Sequence, residues 1–266
     1  MKIFNLSRFR DVKDRNQEEN RYDFKASQEL DESMLSRNGL DDLSEFLKPP
    51  MEKYYETIKS HIHPGMKVLE LGSGTGLHTK VILDTGAIVT AIDISGNSLE
   101  VLKRRVGHQI TCIKCSMDSI PIADCSFDYI VSAGSLSYVD LEKIAREIQR
   151  LLKPNGSVIF VDSLNNNPMY FANRFIHFLK GNRSFLTLIR MPTLRKLQKL
   201  SKNFSESTTN YFGAYLWLTW PLAVLFGEPR MLKVNRSLEN NFPFNRFSFK
   251  FVFHAQSLVK KSSFCE

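Results

Sequence analysis

One nine-residue segment constrains the fold of this chain more than any other part of the sequence. Residues 68–76 read VLELGSGTG, an apolar run that predicts a buried strand, followed by glycine at alternate positions. Glycine has no Cβ, so the backbone can turn sharply there and approach a ligand closely. A dinucleotide fingerprint would need glycine where Leu77 or Thr79 stands, and a phosphate loop would need Gly-Lys-Ser/Thr. The segment therefore indicates a nucleoside site of another kind, with a purely structural turn as the alternative.

A carboxylate follows at the end of the next predicted strand. Residues 77–84 can form a helix, and residues 87–93 (AIVTAID) read as a buried strand that ends in Asp93. In a parallel sheet with right-handed crossovers, the carboxyl ends of neighbouring strands lie together, so Asp93 is expected beside the glycine turn. The two carboxylate oxygens of Asp93 can accept hydrogen bonds from the two hydroxyls of a ribose. The alternative is that Asp93 caps a helix predicted over residues 95–105.

Four sequence elements between residues 67 and 162 resemble the class I S-adenosylmethionine-dependent methyltransferases, in particular the group called methyltransferase domain 11. They are Glu70-x-Gly72-x-Gly74-x-Gly76, Asp93, residues 120–131 (IPIADCSFDYIV), similar to the family's L-P-F-x-D-x-S-F-D stretch, and residues 152–157 (LKPNGS), similar to its L-K-P-G-G turn. The resemblance implies an enzyme with S-adenosylmethionine as cofactor. It also implies an α/β fold: a Rossmann-like, seven-stranded, mostly parallel sheet with helices on both faces and a helical lid insertion after strand five. A cofactor-binding protein without turnover is the alternative.

The motifs also imply which residues contact the cofactor. These are Glu70, Gly72, Ser73, Gly74, Gly76, Asp93, Ile94, Met117, Asp118, Ser132 and Ala133. The glycine turn and the end of strand four would lie along the methionine part of the cofactor. Glu70 would hold the turn or reach the ammonium group, and Asp93 would accept hydrogen bonds from the ribose hydroxyls. Ile94, the backbone amide of Met117 and a nearby acidic side chain would contact the adenine. This chain departs from the family at that acid, because Asp118 comes two residues later than usual.

Composition and periodicity divide the chain of 266 residues into four predicted regions. Residues 1–40 form a polar N-terminal segment, flexible or ordered, and residues 41–163 form a cofactor-binding Rossmann-like methyltransferase core. Residues 164–209 form a basic helical lid or acceptor platform. Residues 210–266 complete the sheet, with strands predicted over 210–217 and 247–255. Helices over residues 43–62, broken by Pro49 and Pro50, are expected to cover the cofactor mouth. The first 37 residues hold no apolar leader, so the protein is expected to be cytoplasmic.

Positive charge is concentrated after the predicted fifth strand. Between Ser163 and Ser205 the sequence has eight Lys or Arg residues and no Asp or Glu, an excess equal to the whole formal net charge of +8. A field of this sign favours an anionic partner. Arg174, Arg183 and Arg190 are therefore the candidate substrate-binding residues. The alternative is a solvated basic helix with aromatic residues packed beneath it.

Three anionic partners are compatible with this segment: a phosphorylated or nucleotide-linked small molecule, a nucleic acid, and an anionic membrane surface carrying a lipid-linked acceptor. We favour the small molecule, because nucleic acid binding usually needs a broader basic surface or a recognisable module. Residues 165–193 loosely resemble methyltransferases encoded with bacterial surface-polysaccharide genes, which implies O-methyl transfer to a nucleotide sugar or glycan. Quinone-type acceptors are the nearest rival, and RNA is a further one. The sequence predicts no oligomeric state.

Methyl transfer to a hydroxyl needs a nearby base that removes the proton. His177, in the predicted lid, and Tyr138, after strand four, are the candidate catalytic residues, with Asp162 at the end of strand five as a third. No metal is expected, because Cys112 and Cys115 would point to opposite faces of the predicted third strand and no second ligand pair exists.

One apolar stretch, residues 211–226, is too short to span a membrane and is interrupted by Pro221. We expect it to form a core strand and helix or a subunit contact. Peripheral membrane docking is the alternative.

Overall fold

The predicted strands pair into one sheet in the computed structural model, which describes residues 2–28, 40, 43–107, 109–180 and 184–257, with the backbone alone over residues 2–14. The strands are β1 (Lys67–Leu71), β2 (Ile88–Asp93), β3 (Thr111–Lys114), β4 (Phe127–Ala133), β5 (Leu152–Ser163), β6 (Phe204–Phe212) and β7 (Lys250–Ser257). Their order is β3-β2-β1-β4-β5-β7-β6. Of these strands, β1 to β5 pair in parallel, and β7 runs antiparallel to β5 and β6. The seven-stranded, mostly parallel α/β sheet is confirmed.

The strand order places a crevice beside β1. The connection after β1 leads to β2 on one side, whereas the connection after β3 returns to β4 on the other side. Ligands of open α/β sheets bind outside the carboxyl ends of the strands at such a reversal. The glycine turn follows β1 at this point and Asp93 ends β2, so the topology brings the two predicted features together.

Helices cover both faces of the sheet, as predicted. The α-helices are α1 (Lys2–Gln28), α2 (Lys48–His61), α3 (Thr79–Leu83), α4 (Gly96–Val106), α5 (Leu141–Leu151), α6 (Pro168–Leu179), α7 (Phe185–Arg190), α8 (Leu194–Ser201), α9 (Leu216–Phe226) and α10 (Glu228–Asn241), with 3₁₀ turns at Glu45–Leu47, Leu136–Tyr138 and Asn245–Phe247. α2, α3 and α4 pack on one face, and α5 and α8 pack on the other. Side chains alternate along a strand, so Val68 contacts the first group and Leu69 the second.

The sequence of α5 explains why it forms and which side it buries. Its apolar residues recur at intervals of three and four, and Ile144, Ile148 and Leu151 are all buried against the sheet. The carboxylate of Asp140 accepts a hydrogen bond from the Glu142 backbone N–H at 2.8 Å and so caps the start of the helix. The chain then enters β5 directly, which fixes the position of that central strand.

The predicted position of the sixth strand is wrong. The strand is β6, Phe204–Phe212, rather than residues 210–217. Gly213, at φ +72°, ends it, and the apolar residues from Leu216 onward form α9 instead. β6 lies at the sheet edge with mostly exposed side chains, so it lacks the apolar alternation on which a strand prediction depends.

The predicted break lies just before the prolines, because the 3₁₀ turn ends at Leu47 and α2 begins at Lys48. Both prolines lie in the first turn of α2, where the backbone N–H groups have no helical partner in any case. α2 packs on a face of the sheet through Tyr54 and Ile58, which are fully buried. This helix therefore supports the sheet and does not cover its carboxyl edge.

Candidate active site

A cavity of about 300 Å³ lies at the carboxyl ends of β1 to β4. Eleven residues predicted from the sequence line it: Glu70, Gly72, Ser73, Gly74, Asp93, Ile94, Met117, Asp118, Ala133, Tyr138 and Arg190. They come from separate strand ends and from a helix after β5, so the sheet topology brings them together. A concave site of this size suits a small molecule of cofactor dimensions.

The glycine turn forms part of the cavity wall, and its glycines have different tasks. Gly72, Gly74 and Gly76 all have positive φ, at +62°, +53° and +83°. A Cβ added at Gly72 would lie 2.6 Å from Cβ of Ser135, and one at Gly76 would lie 3.0 Å from Cγ of Leu102. A Cβ at Gly74 would meet nothing within 4 Å. Gly72 and Gly76 therefore allow close packing of the neighbouring side chains. Gly74 instead borders the open space of the cavity, which Gly76 does not line.

Asp93 ties the glycine turn to the next strand. Its carboxylate accepts hydrogen bonds from the backbone N–H groups of Gly74 and Ser95, each at 2.8 Å. Ser95, and not Asp93, caps the start of α4, because Oγ of Ser95 accepts a hydrogen bond from the Ser98 N–H at 3.0 Å. Burial raises the pKa of Asp93, and the backbone hydrogen bonds oppose this rise. Each carboxylate oxygen has a further lone pair, so Asp93 can accept from a ligand while it holds the turn.

Glu70 is buried beneath the same turn, with 2% of its surface exposed. It accepts a hydrogen bond from Oγ1 of Thr79 at 2.7 Å and so anchors the start of α3. Burial, with Asp93 nearby, raises the pKa of Glu70 to about 8. In the cofactor-free protein this carboxyl group is therefore largely protonated at neutral pH.

Glu70→Gln is expected to remove a pH dependence of folding stability. The folded-state pKa of about 8 exceeds the ordinary value of 4.5, so between these values the folded protein holds a proton that the unfolded chain releases. Relative to the variant, the wild-type protein should lose stability as pH rises through this window, by on the order of 1 kcal/mol per pH unit. Urea denaturation of both proteins across that range measures the difference. A difference that stays constant with pH would contradict the buried, protonated carboxyl.

The predicted adenine end of the cavity contains Ile94, Met117 and Asp118. Asp118 accepts a hydrogen bond from Oγ of Ser116 at 2.6 Å and lies 3.5 Å from Nη1 of Arg15. Ser116 occupies the position at which the family usually has its acid, and it lines the cavity too. The shift of the acid by two residues therefore still leaves a carboxylate at this wall.

Ser132 lies below the cavity rather than in its wall. It is fully buried, and its Oγ is 2.5 Å from Oγ of Ser135, which donates to the Leu71 carbonyl at 3.1 Å. Ser135 and Ala133 do line the cavity. Ser132 thus acts by fixing Ser135, a residue that the sequence analysis did not identify.

Tyr138 presents its hydroxyl group at the opposite wall. That oxygen lies 2.8 Å from the hydroxyl of Tyr22 and accepts a hydrogen bond from Nη2 of Arg21 at 3.1 Å. The 3₁₀ turn that carries Tyr138 is held by Asp162, which accepts from the Leu136 N–H at 2.8 Å. Asp162 is 1% exposed and does not line the cavity, so it positions the turn instead of facing a ligand.

The N-terminal helix α1 supplies a wall that the sequence analysis missed. Its residues at the cavity are Arg15, Glu18, Tyr22, Lys25 and Ala26. Polar contacts hold the helix in place: Glu19 pairs with Lys114 at 2.6 Å, and Asp23 accepts from Oγ of Ser95 at 2.5 Å. These contacts have no apolar periodicity, which is the signal that predicts a docked helix.

Two predicted residues lie away from this cavity, and one cannot be placed. Arg174 is buried in α6 and donates to the Tyr170 hydroxyl at 2.9 and 2.6 Å. His177 is partly exposed on the same helix and does not line the cavity. Arg183 lies outside the described residues. The structure therefore brings Arg190, but neither Arg174 nor His177, to the predicted cofactor residues.

His78 lines the cavity without having been predicted as a site residue. Its Nδ1 lies 2.7 Å from the Tyr55 hydroxyl. Burial, with Lys250 and Arg105 nearby, lowers the pKa of His78 to about 4, so its ring is neutral at physiological pH. A ring with this pKa is a weak base, which argues for a packing role.

The two cysteines considered as metal ligands face different sides of the sheet. Cys112 packs with the cluster that contains α2, and Cys115 packs with the cluster that contains α5. Both are free thiols, and burial raises the pKa of Cys115 to about 11. Among the described residues, no three His, Cys, Asp or Glu side chains come together in a way that could hold a metal ion.

Comparison with known protein families agrees with this geometry. Residues 69–160 match the family model described as a methyltransferase domain. Residues 69–160 thus form a methyltransferase domain. S-adenosylmethionine is the cofactor of this family. The match runs from β1 into β5, so the methyltransferase domain contains the strand ends that build the cavity, whereas α1 and the helices after β5 lie outside it.

Similar proteins support the same family. Sterol 4-C-methyltransferase strm-1 of Caenorhabditis elegans is 31% identical over 139 residues, which cover 46% of this chain and 42% of that protein. Demethylmenaquinone methyltransferase of Tropheryma whipplei (strain Twist) is 34% identical over 135 residues, 50% of this chain and 53% of that protein. The chain thus spans about half the length of these relatives.

Solved structures share the fold of the methyltransferase domain. Geranyl diphosphate C-methyltransferase from Streptomyces coelicolor A3(2) aligns with a TM-score of 0.55 and 16% identity over 86% of this chain and 88% of that one. Phosphoethanolamine N-methyltransferase 2 from Haemonchus contortus, in complex with S-adenosyl-L-methionine, aligns with a TM-score of 0.53 and 17% identity over 77% and 52%. At such identities the likeness concerns the fold alone.

Proposed function

We propose that this chain is an S-adenosylmethionine-dependent methyltransferase that acts on a small acceptor. One observation carries the proposal: Gly74 and Asp93, from the ends of two neighbouring strands, meet at one cavity through a hydrogen bond of 2.8 Å. The space beyond Gly74 is open to a ligand, and Asp93 has spare acceptor capacity for ribose hydroxyls. The family match over residues 69–160 supports the same assignment.

The residues at the cavity fit the parts of the cofactor. The glycine turn would lie along the methionine part of the cofactor. Glu70 lies where it can hold the turn or reach the ammonium group, and Asp118 lies at the adenine end. The cofactor supplies a methyl group on a positively charged sulfur, which is already activated toward a nucleophile. The protein therefore has to hold an acceptor in line, exclude water and accept a proton if the acceptor is a hydroxyl.

Tyr138 is the residue that best fits the proton acceptor. Its hydroxyl lies at the cavity wall, and Arg21 donates a hydrogen bond to that oxygen at 3.1 Å. A hydrogen bond from a guanidinium favours the deprotonated form of its acceptor, and deprotonated Tyr138 is the form that can take the proton from an acceptor hydroxyl and become neutral. His177, the other candidate from the sequence, does not line the cavity.

An anionic acceptor is supported by charge near the cavity. Arg190 lines the wall at the end of α7 and donates to the Tyr138 carbonyl at 3.4 Å. It belongs to the segment with eight Lys or Arg residues and no Asp or Glu. We infer an acceptor such as the sugar hydroxyl of a nucleotide sugar or glycan in polysaccharide biosynthesis. A nucleic acid acceptor fits less well, because the excess charge is confined to this segment.

A lipid-soluble acceptor, such as a quinone precursor, is a second candidate. It is favoured by the exposed side chains of Phe185 and Ile189, which lie on α7 with Arg190. Relatives of the domain are named for a sterol and for demethylmenaquinone. The two candidates differ in whether the acceptor partitions into lipid.

Product formation separates these candidates. S-adenosylhomocysteine release is measured with S-adenosylmethionine and, in turn, nucleotide sugars, prenylated quinone precursors in detergent, and RNA. We expect turnover with a small acceptor and none with RNA. Cofactor binding without turnover on any acceptor would favour a binding protein that lacks catalysis.

Arg190→Ala is expected to raise KM for an anionic acceptor by about tenfold, because it removes one charged contact at the acceptor end. Cofactor affinity should stay unchanged, since Arg190 is not among the residues assigned to the cofactor. Steady-state kinetics and calorimetry with S-adenosylmethionine measure the two effects. Lys180→Ala, in the same basic segment but outside the cavity, is the matched control. Equal KM values in the two variants would show that Arg190 does not bind the acceptor.

A further inference from the structure

Two helices after β5 each expose apolar side chains. We define the apolar face as Phe175, Ile176 and Leu179 of α6 with Val224, Leu225 and Phe226 of α9. Their exposed fractions range from 41% for Phe175 to 88% for Val224. Exposed apolar side chains in this number on a folded domain mark a site of interaction.

The two helices pack on the same small core through their inner sides. Tyr170 of α6 packs against the cluster that contains Leu216 and Ala223 of α9 together with Phe249. The rings of Tyr170 and Phe249 meet at a centroid distance of 4.6 Å. The inner sides of α6 and α9 are thus fixed, and their apolar outer sides are left without a partner in the part of the chain that is described.

The length of α9 determines how it can meet a lipid bilayer. Its 11 residues include no charged side chain, and it contains Pro221. At 1.5 Å per residue the helix is about 16 Å long, roughly half of the ~30 Å hydrocarbon core. Among the described residues, no helix is both long and apolar enough to cross a membrane. The helix can therefore lie within an interface but cannot span it.

Positive charge lies near the apolar face. Residues 164–249 contain twelve Lys or Arg residues and three Asp or Glu residues. Lys180 follows α6 directly, and Arg230 and Lys233 are exposed on α10, which packs beside α9. Apolar side chains with a cationic surround are the pattern of interfacial binding to anionic lipid headgroups.

The same charge disfavours a second copy of this chain as the occupant. Self-association through the apolar face would bring two regions of like charge together, which is unfavourable. An anionic bilayer instead offers both the apolar phase and the opposite charge. The helix α7 packs beside α6; its Ile189 is 53% exposed, and the next residue, Arg190, lines the cavity.

We propose that the apolar face docks onto the headgroup and acyl boundary of an anionic lipid bilayer. The helices α6 and α9 insert their apolar outer sides, and the flanking Lys and Arg side chains contact the headgroups. The cavity mouth near Arg190 then lies close to the lipid surface. This inference concerns docking and does not depend on methyl transfer.

The intrinsic tryptophan fluorescence reports on the apolar face directly. The chain has two tryptophans, Trp217 and Trp220, and both lie on α9 with 40% and 43% exposure. With phosphatidylcholine vesicles that contain about one-third phosphatidylglycerol, we expect a blue shift and quenching by brominated acyl chains. Vesicles of phosphatidylcholine alone should give a much smaller shift, and added salt should reverse the binding to the anionic vesicles.

A double substitution tests the surface itself. Val224→Glu with Leu225→Glu puts two charges on exposed positions and should lower co-sedimentation with the anionic vesicles by about tenfold or more. Ile88→Glu is the matched control, since Ile88 is 57% exposed at the start of β2, away from the carboxyl edge. Unchanged S-adenosylmethionine binding in both proteins shows that the fold is retained.

Three results would overturn docking: no spectral shift with any vesicle, vesicle binding by the double variant equal to that of the wild type, or a wild-type dimer in gel filtration that the double variant dissociates. The last result would assign the apolar face to a second copy of the chain. All of these measurements are made without an acceptor, so failure of the proposed methyl transfer leaves them unaffected.

Discussion

Gly74→Leu is expected to lower the affinity for S-adenosylmethionine at least about 100-fold, on the order of 3 kcal/mol, while the protein stays folded. A Cβ at Gly74 meets nothing within 4 Å, so the new side chain has room in the cofactor-free protein. That room is the cavity space beside Asp93, which the cofactor needs. Leucine at a φ of +53° also costs roughly 1 kcal/mol of backbone strain.

Calorimetry with S-adenosylmethionine measures the loss, and Gly65→Leu supplies the matched control. Gly65 has a φ of +82° and also leaves an added Cβ without neighbours within 4 Å, but it lies in the loop before β1, away from the cavity. The two variants therefore share the backbone strain and differ in the space that leucine fills. If both bind the cofactor as tightly as the wild-type protein, the glycine turn does not contact it.

Asp93→Ala should weaken cofactor binding by about 1–3 kcal/mol, which corresponds to about 10- to 100-fold in Kd. The substitution removes the acceptors for the ribose hydroxyls. It also leaves the Gly74 and Ser95 N–H groups without their acceptor, which loosens the turn that would lie along the methionine part of the cofactor. Asp93→Asn keeps one acceptor oxygen and should give an intermediate loss, because it can hold only one of those two N–H groups.

The control for this series is Asp84→Ala, which removes an exposed carboxylate at the end of α3 outside the cavity. Its Kd should equal that of the wild-type protein. Thermal denaturation of each variant without cofactor separates a loosened fold from a lost contact. An Asp93→Ala protein with wild-type Kd would exclude this carboxylate from the cofactor site.

The central part of the fold could be predicted because its signals are local. The glycine turn requires a backbone conformation that few other residues adopt, and strands β1 and β2 are mostly apolar. Parallel pairing then brings Gly74 and Asp93 together without further information. The position of α5 followed in the same way from its apolar periodicity.

The parts that could not be predicted depend on polar, long-range contacts. α1 joins the domain through Glu19 with Lys114 and Asp23 with Ser95, pairs that no sequence period reveals. Ser135 belongs to the site because it packs against Gly72, across the β1–β4 boundary, and only the register of the sheet shows this. β6 escaped prediction because its side chains are polar and exposed at the sheet edge.

The way in which α1 is attached gives the two sides of the cavity different physical properties. The strand ends belong to a core of apolar side chains, whereas among residues 15–28 of α1 the buried apolar side chain is Ala26. Dissolved ions screen attraction between charges near the surface but leave apolar packing intact. Ionic strength therefore acts on the helical wall of the cavity and spares the wall formed by the sheet.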